Sequence, residues 1–230
     1  MINIFLGIIA TLFTAALVLQ IIGIWKKIPL MVLITKPFLI SMILISYILL
    51  IKNYLPDSRL LLIHGTTALS LAFTGTVLFM IEDKKLFTTG GAVCFFISIL
   101  ENLAVTYPSF KLYPQKLWFI LLFTVLLCAA AIACFLLFIK SRKLSSTLIY
   151  FFSMAVTGLY VYSALITLFG EPELYSALLF AGSVFFMFSL FTKIKREADE
   201  NSPLLSFLSI ITCTISQLLF ASGCVLMQVM

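Results

Sequence analysis

Residues 59–81 read RLLLIHGTTALSLAFTGTVLFMI: an Arg at the start, one His, and otherwise only apolar, small or hydroxyl side chains. A helix needs about 20 such residues to cross the hydrocarbon core of a bilayer. The second half of this run returns later in the chain. FTGTVLFM at 73–80 is matched by FAGSVFFM at 180–187, with Phe73, Gly75, Thr76, Val77, Phe79 and Met80 in register with Phe180, Gly182, Ser183, Val184, Phe186 and Met187. Phenylalanine and methionine recur by chance in any apolar chain. The glycine followed by a hydroxyl is the informative part, because it offers close backbone approach and a polar atom where lipid offers neither.

Working outward, the same kind of run fills the chain. The 230 residues are 63% hydrophobic and 10% charged, with a mean hydropathy of +1.20. Soluble domains are roughly 45–50% apolar and 25% charged, so the composition predicts an all-α polytopic membrane protein. Runs between charged or proline-marked breaks give eight spans, at about 2–24, 31–51, 59–81, 86–107, 115–139, 144–169, 173–192 and 204–229. The connections are short, so residues 1–230 form a single transmembrane domain. The first run lacks a basic leader and exceeds the 7–15 residue core of a signal peptide; it is read as a retained span. Spans 3 and 7 are four apart and run the same way, which suggests two parallel four-helix halves related about an axis near the membrane normal.

The net charge of +6 is not a nucleic-acid signal, because the basic residues sit at helix ends. The loops after spans 1, 3, 5 and 7 carry Lys26, Lys27, Lys84, Lys85, Lys140, Arg142, Lys143, Lys193, Lys195 and Arg196; those after spans 2, 4 and 6 carry only Lys52, Arg59, Lys111 and Lys116. The positive-inside rule then puts the first set of loops in the cytoplasm of a cell (inner) membrane protein, with both termini outside. Cys94, Cys128, Cys134, Cys213 and Cys224 all fall within spans and form no CxxC pair. Free Cys packs as a small hydrophobe. With one His in the chain, no ligand spacing supports a metal, and nothing calls for a cofactor.

Few ionisable or strongly polar groups lie inside the spans, where a charge at the centre costs at least ~2.5 kcal/mol. Lys36 opens span 2 beside Pro37; it either snorkels to the interface or serves a site. Glu101 is the one carboxylate well inside a span, with Asn102 next to it, and faces either a cavity or a hydrogen-bonding neighbour. His64 in span 3 reads first as a hydrogen-bonded packing residue. Gln217 in span 8 either glues helices or points at a ligand. Thr66, Ser70 and Thr74 repeat at four-residue spacing on span 3, as Ala177 and Ala181 do on span 7, so Gly75 and Gly182 have a plain alternative reading as helix contact points. Tyrosines lie mostly toward span ends, as an aromatic belt predicts; Tyr160 and Tyr162 sit deeper.

Eight short-looped spans with Lys36-Pro37 in ITKPFLISM, LAFTGTVLFM in span 3, LLFAGSVFFMFSLF in span 7 and TCTISQLLFASG around Gln217 resemble the YhhN family of membrane lysoplasmalogenases. The resemblance implies a lipid-sized cavity, a lysolipid or fatty aldehyde as ligand, and two intramembrane aspartates as catalysts. Thr76 and Ser183 stand where those aspartates are expected. Vinyl-ether hydrolysis needs a general acid to protonate carbon and a base to guide water, which two close carboxyl groups supply by splitting their pKa values. A hydroxyl supplies neither without a partner. The expectation is therefore a family-like fold with Lys36, Thr76, Glu101, Ser183 and Gln217 as candidate cavity-lining residues and a lost or rebuilt acid pair. A transporter or channel with a midplane site between spans 3 and 7, and a non-catalytic scaffold subunit, are the competing readings. The predicted orientation has a direct check: a C-terminal alkaline phosphatase fusion should be active and a C-terminal green fluorescent protein fusion dark, and the reverse pattern would invert the topology.

Overall fold

A computed structural model describes residues 2–55, 58–78, 85–106, 144–170, 172–198 and 203–229, together with Trp118, Leu121, Leu122, Val125 and Ala129. The described residues form seven helices: α1 (Ile2–Trp25), α2 (Pro29–Tyr54), α3 (Arg59–Leu78), α4 (Lys85–Thr106), α5 (Leu144–Gly170), α6 (Leu174–Ala198) and α7 (Pro203–Val229). They correspond to spans 1–4 and 6–8. The eight spans of the sequence reading are thus not all reached among the described residues. Span 5, with Cys128 and Cys134, lies almost wholly outside them, as do Phe79 and Met80 of the first repeat and the acidic pair Glu82 and Asp83. Five described segments are long and apolar enough to cross a bilayer, namely Ile4–Trp25, Leu30–Tyr54, Arg59–Leu78, Leu174–Thr192 and Phe207–Met227; Gly90–Val105 and Met154–Gly170 are shorter apolar stretches. The protein is an α-helical membrane protein.

Local chemistry explains the helix ends. Pro29 opens α2, where its missing N–H costs nothing and its fixed φ suits the first turn. Before it, α1 stops in a Schellman turn: Ile28 N–H donates to Gly23 C=O at 2.8 Å and Lys27 N–H to Ile24 C=O at 3.2 Å. Lys27 takes the left-handed position at φ 53°, where glycine is usual. Lysine meets the steric cost there and places a cation against the negative end of the α1 dipole. Pro37 lies inside α2 and frees the Leu33 carbonyl from its intrahelical bond. Charges end span 7 at about residue 192, yet α6 continues to Ala198 through KIKREA. The hydropathy break marks where the chain leaves the bilayer, not where the helix stops.

Helix neighbours close a ring. α2 packs on α3, α3 on α4, α4 on α5, α5 on α6, α6 on α7, and α7 returns to α2, while α1 lies outside against α2 and α7. The most extensive interfaces are α6 with α7 and α3 with α4. Inside the ring sit Tyr47, Leu69, Ile99, Tyr160, Leu179, Phe220 and Cys224 in one buried cluster.

The two large hairpins share one register. A methyl at Gly75 would meet the Phe95 ring at 2.7 Å and the Gly91 carbonyl at 3.0 Å; one at Gly182 would meet the Ser216 carbonyl at 3.2 Å and the Phe220 nitrogen at 3.3 Å. Ser98 Oγ donates to Ala68 C=O at 2.8 Å, and a methyl at Gly223 would lie 3.1 Å from Tyr175 C=O. One constant sequence offset carries Ala68 and Gly75 to Tyr175 and Gly182. A second carries Gly91, Phe95 and Ser98 to Ser216, Phe220 and Gly223. The ring itself maps onto itself when α2, α3 and α4 are exchanged with α5, α6 and α7. Small residues at these crossings let backbones approach where lipid gives helices no hydrophobic reason to associate.

Between α2 and α3 the close approach is at Gly65. Tyr47 Oη donates to Leu61 C=O at 2.7 Å, and a methyl at Gly65 would stand 2.7 Å from Cε1 of the same phenol. Gly65→Ala is expected to cost about 1–3 kcal/mol from overpacking. Gly7→Ala, where nothing lies within 4 Å, should leave the melting temperature in detergent unchanged or slightly raised.

Candidate functional site

Neither Thr76 nor Ser183 lines the cavity found among α1, α2 and α7. Thr76 is 1% exposed and Ser183 fully buried. Thr76 Oγ1 donates to Ala72 C=O of its own helix at 2.8 Å. Ser183 Oγ donates to Phe180 C=O of its own helix at 2.7 Å. Each hydroxyl is thus spent one turn back along α3 or α6, which is how Ser and Thr commonly satisfy themselves inside a helix. Their glycine neighbours do the work, as the contact points of the two hairpins.

The two intramembrane ionisable groups of α3 and α4 find each other instead. His64 Nδ1 lies 2.6 Å from Glu101 Oε2, with side chains 35% and 25% exposed. A single proton fits between them, donated by Nδ1 to a carboxylate or by a carboxyl to Nδ1. The hydrogen bond offsets part of the cost of placing ionisable groups near hydrocarbon. Thr76 lies about 18 Å further along α3 at 1.5 Å per residue, so the pair cannot assist that hydroxyl. The dyad is specific to this hairpin: the offset that carries Ser98 to Gly223 carries Glu101 to Leu226.

His64 reads in the sequence as a hydrogen-bonded packing residue, and a signal for its partner exists there too. In an antiparallel hairpin, residues equally far from the turn meet. Ala68 with Ser98 and Gly75 with Gly91 are each equidistant from Asp83, and His64 with Glu101 is nearly so. In α6 and α7, Gly182 with Ser216 and Ser189 with Ser209 are equidistant from Asp199. Those contacts are made: Ser216 Oγ donates to Gly182 C=O at 2.8 Å and Ser189 Oγ to Ser209 C=O at 2.9 Å.

Lys36 is half-buried near the start of α2, beside Thr35, whose hydroxyl bonds Met31 C=O at 2.7 Å and Gln20 Oε1 of α1. The Tyr47–Leu61 bond fixes the depth of α2 against α3. It places Lys36 about 16 Å below Tyr47, at the end of the bundle away from Glu101. Gln217 is buried in the middle of α7. The five candidate residues therefore do not converge on one site.

A cavity does exist elsewhere. A volume of about 310 Å³ opens among α1, α2 and α7, lined by Leu6, Ile9, Ala10, Phe13, Thr14, Met42, Ile43, Ser46, Tyr47, Leu50, Leu218, Ala221, Ser222 and Val225. Thr14 spends its hydroxyl on Ala10 C=O at 2.8 Å and Tyr47 spends its own on Leu61, so the lining is apolar apart from Ser46 and Ser222. The cavity lies toward the same end of the bundle as the dyad, where α1 and α3 begin and α2, α4 and α7 end. Its lining gave no sequence signal, because each residue is an ordinary apolar or small residue on its own helix. Among the described residues no group of three or more His, Cys, Asp or Glu side chains is placed to hold a metal.

No family model matches the chain, and comparisons with known proteins and with solved structures likewise find no match. The internal hydroxyl bonds of Thr76 and Ser183 predict small effects for their removal. Thr76→Val and Ser183→Ala should each change stability by less than ~1 kcal/mol, whereas Ser98→Ala, which breaks a buried inter-helix bond, should cost about 1 kcal/mol. Equal losses for all three in a detergent melting series would contradict this assignment.

Proposed function

We propose that the chain is a YhhN-type integral membrane protein of eight spans, with both termini outside the cell membrane, that binds the hydrocarbon part of a lysolipid or fatty aldehyde without hydrolysing it at Thr76 or Ser183. The observation that carries this reading is the apolar cavity among α1, α2 and α7. Its size is at the low end of the ~300–1,000 Å³ typical of small-molecule sites. Its walls lie inside apolar spans, so the surrounding solvent is hydrocarbon and an acyl chain is the occupant that matches it. The hydroxyls at Thr76 and Ser183 are engaged within their own helices, which argues against an acid–base role.

One specific observation favours a second reading. His64 and Glu101 are a hydrogen-bonded acid–base pair in the same half of the bundle as the cavity, and a rebuilt hydrolytic centre would need such a pair.

Two measurements separate these. Purified protein is irradiated with a diazirine-bearing lysolipid. Labelling should map to α1, α2 and α7 and fall several-fold in Ala10→Trp and in Ala221→Leu, both of which fill the cavity. Unchanged labelling in both variants would end the lipid-cavity reading. Lysoplasmalogen is then offered as substrate. No release of fatty aldehyde is expected. Turnover that vanishes in Glu101→Gln and persists in Thr76→Val would transfer the chemistry to the dyad, and turnover lost in Thr76→Val would restore the sequence-predicted centre.

A further inference from the structure

We propose that Ser46 and Ser222 hold an uncharged carbonyl group of a lipid inside the cavity among α1, α2 and α7; this rests on the lipid-cavity reading above and narrows its ligand. Both residues line the volume, one from α2 and one from α7. On the same three helices, Thr11, Thr14, Thr35, Ser41, Thr212 and Thr214 each give their hydroxyl to a carbonyl one turn back, the usual way in which a helix satisfies them. Ser46 and Ser222 make no hydrogen bond to any described residue. Neither oxygen is one of the buried polar atoms left without a partner, so each opens onto free volume.

The cavity brings the two hydroxyls to one level. Along α2 its lining runs Met42, Ser46, Leu50, and along α7 it runs Leu218, Ser222, Val225. Each serine is thus about one turn from either end of its own wall. The two helices run in the same direction and pack on each other. Tyr47, next to Ser46, and Cys224, half a turn past Ser222, are close enough to interact electrostatically. Ser46 and Ser222 therefore stand at one height on neighbouring walls, with apolar lining above and below them.

The chemistry of the walls selects the ligand. No Lys, Arg, His, Asp or Glu lines the volume, so nothing there balances a charged head group. A seryl hydroxyl donates one hydrogen, and a carbonyl oxygen has two lone pairs to accept with. One carbonyl satisfies both donors and brings no hydrogen that would need an acceptor of its own. Thr14 and Tyr47 do not compete for it, since their hydroxyls are engaged on Ala10 and Leu61. Because the lining is apolar on both sides of the serines, the carbonyl lies within an alkyl chain, as in a ketone or an ester.

The test follows the melting temperature of the purified protein in detergent during titration with nonane, dibutyl ketone or nonanoate. A ligand that binds only the folded state raises it by mass action. Micelles take up each compound equally whichever variant is present, so the ratio of ketone to nonane affinity, compared between variants, reports the site alone. From wild type to the Ser46→Ala, Ser222→Ala double variant that ratio should fall about five- to tenfold, as the loss of two neutral hydrogen bonds predicts. If the double variant does not express, each single variant should show a fall of about two- to threefold. Nonanoate should bind no better than nonane. An unchanged ratio, or a preference for nonanoate, overturns the carbonyl site and leaves the lipid cavity standing, because nonane still binds. The lipid cavity fails separately, and this site with it, if no compound raises the melting temperature or if all do so equally in wild type and in Ala221→Leu.

Discussion

Close backbone approaches where Gly75 meets α4 and Gly182 meets α7 hold the two large hairpins together, and the rest of the bundle is arranged about them. Lipid satisfies no backbone hydrogen bond, so each span has to be helical. Lipid also removes the hydrophobic drive between helices already inserted, leaving close packing and polar contacts to hold them together. A glycine at the crossing, a serine reaching across to a carbonyl, and a phenol bonded to a neighbouring helix are what remain. The glycine crossings fall at matched positions in the two large hairpins, each hairpin adds a serine that reaches across, Ser98 in one and Ser216 in the other, and the phenol of Tyr47 ties α2 to α3.

That register gives the repeated phrase a meaning different from the one it suggested as sequence. FxG followed by Thr or Ser and Val looked like a polar point placed twice in the membrane. In the fold, the glycine is the functional member of the phrase and the hydroxyl is accommodated by its own helix. The match extends beyond the phrase to the partner helices, where Gly91, Phe95 and Ser98 correspond to Ser216, Phe220 and Gly223. Those partners share too little sequence to be aligned by eye; what is retained is the spacing of small and aromatic residues at the crossing.

Helix positions were legible in the sequence because the bilayer enforces them through length and apolarity alone. The readings of 144–169 against Leu144–Gly170 and of 204–229 against Pro203–Val229 each differ by one residue at one end. The site was much less legible. Lys36, Thr76, Glu101, Ser183 and Gln217 stand out in the sequence for polarity within spans, and polarity does not reveal which way a side chain faces. Thr76 and Ser183 turned inward to their own backbones, and Glu101 turned to His64. The resemblance implies a lipid-sized cavity, but the lining of the one observed leaves no mark in the sequence, because it is made of absence of bulk among ordinary residues. Pairing by equal distance from the turn recovers the helix contacts, including the dyad, but gives no information about voids.

The cavity takes its walls from the first two helices and the last. During synthesis α1 and α2 enter the membrane long before α7 exists. Until the final span is made, the surfaces of Leu6, Phe13, Met42 and Tyr47 that will line the cavity face bulk lipid. The volume is thus a late product of biogenesis, completed only when α7 joins α1 and α2, and a nascent chain that has not yet reached α7 can be well inserted and largely helical while lacking it altogether.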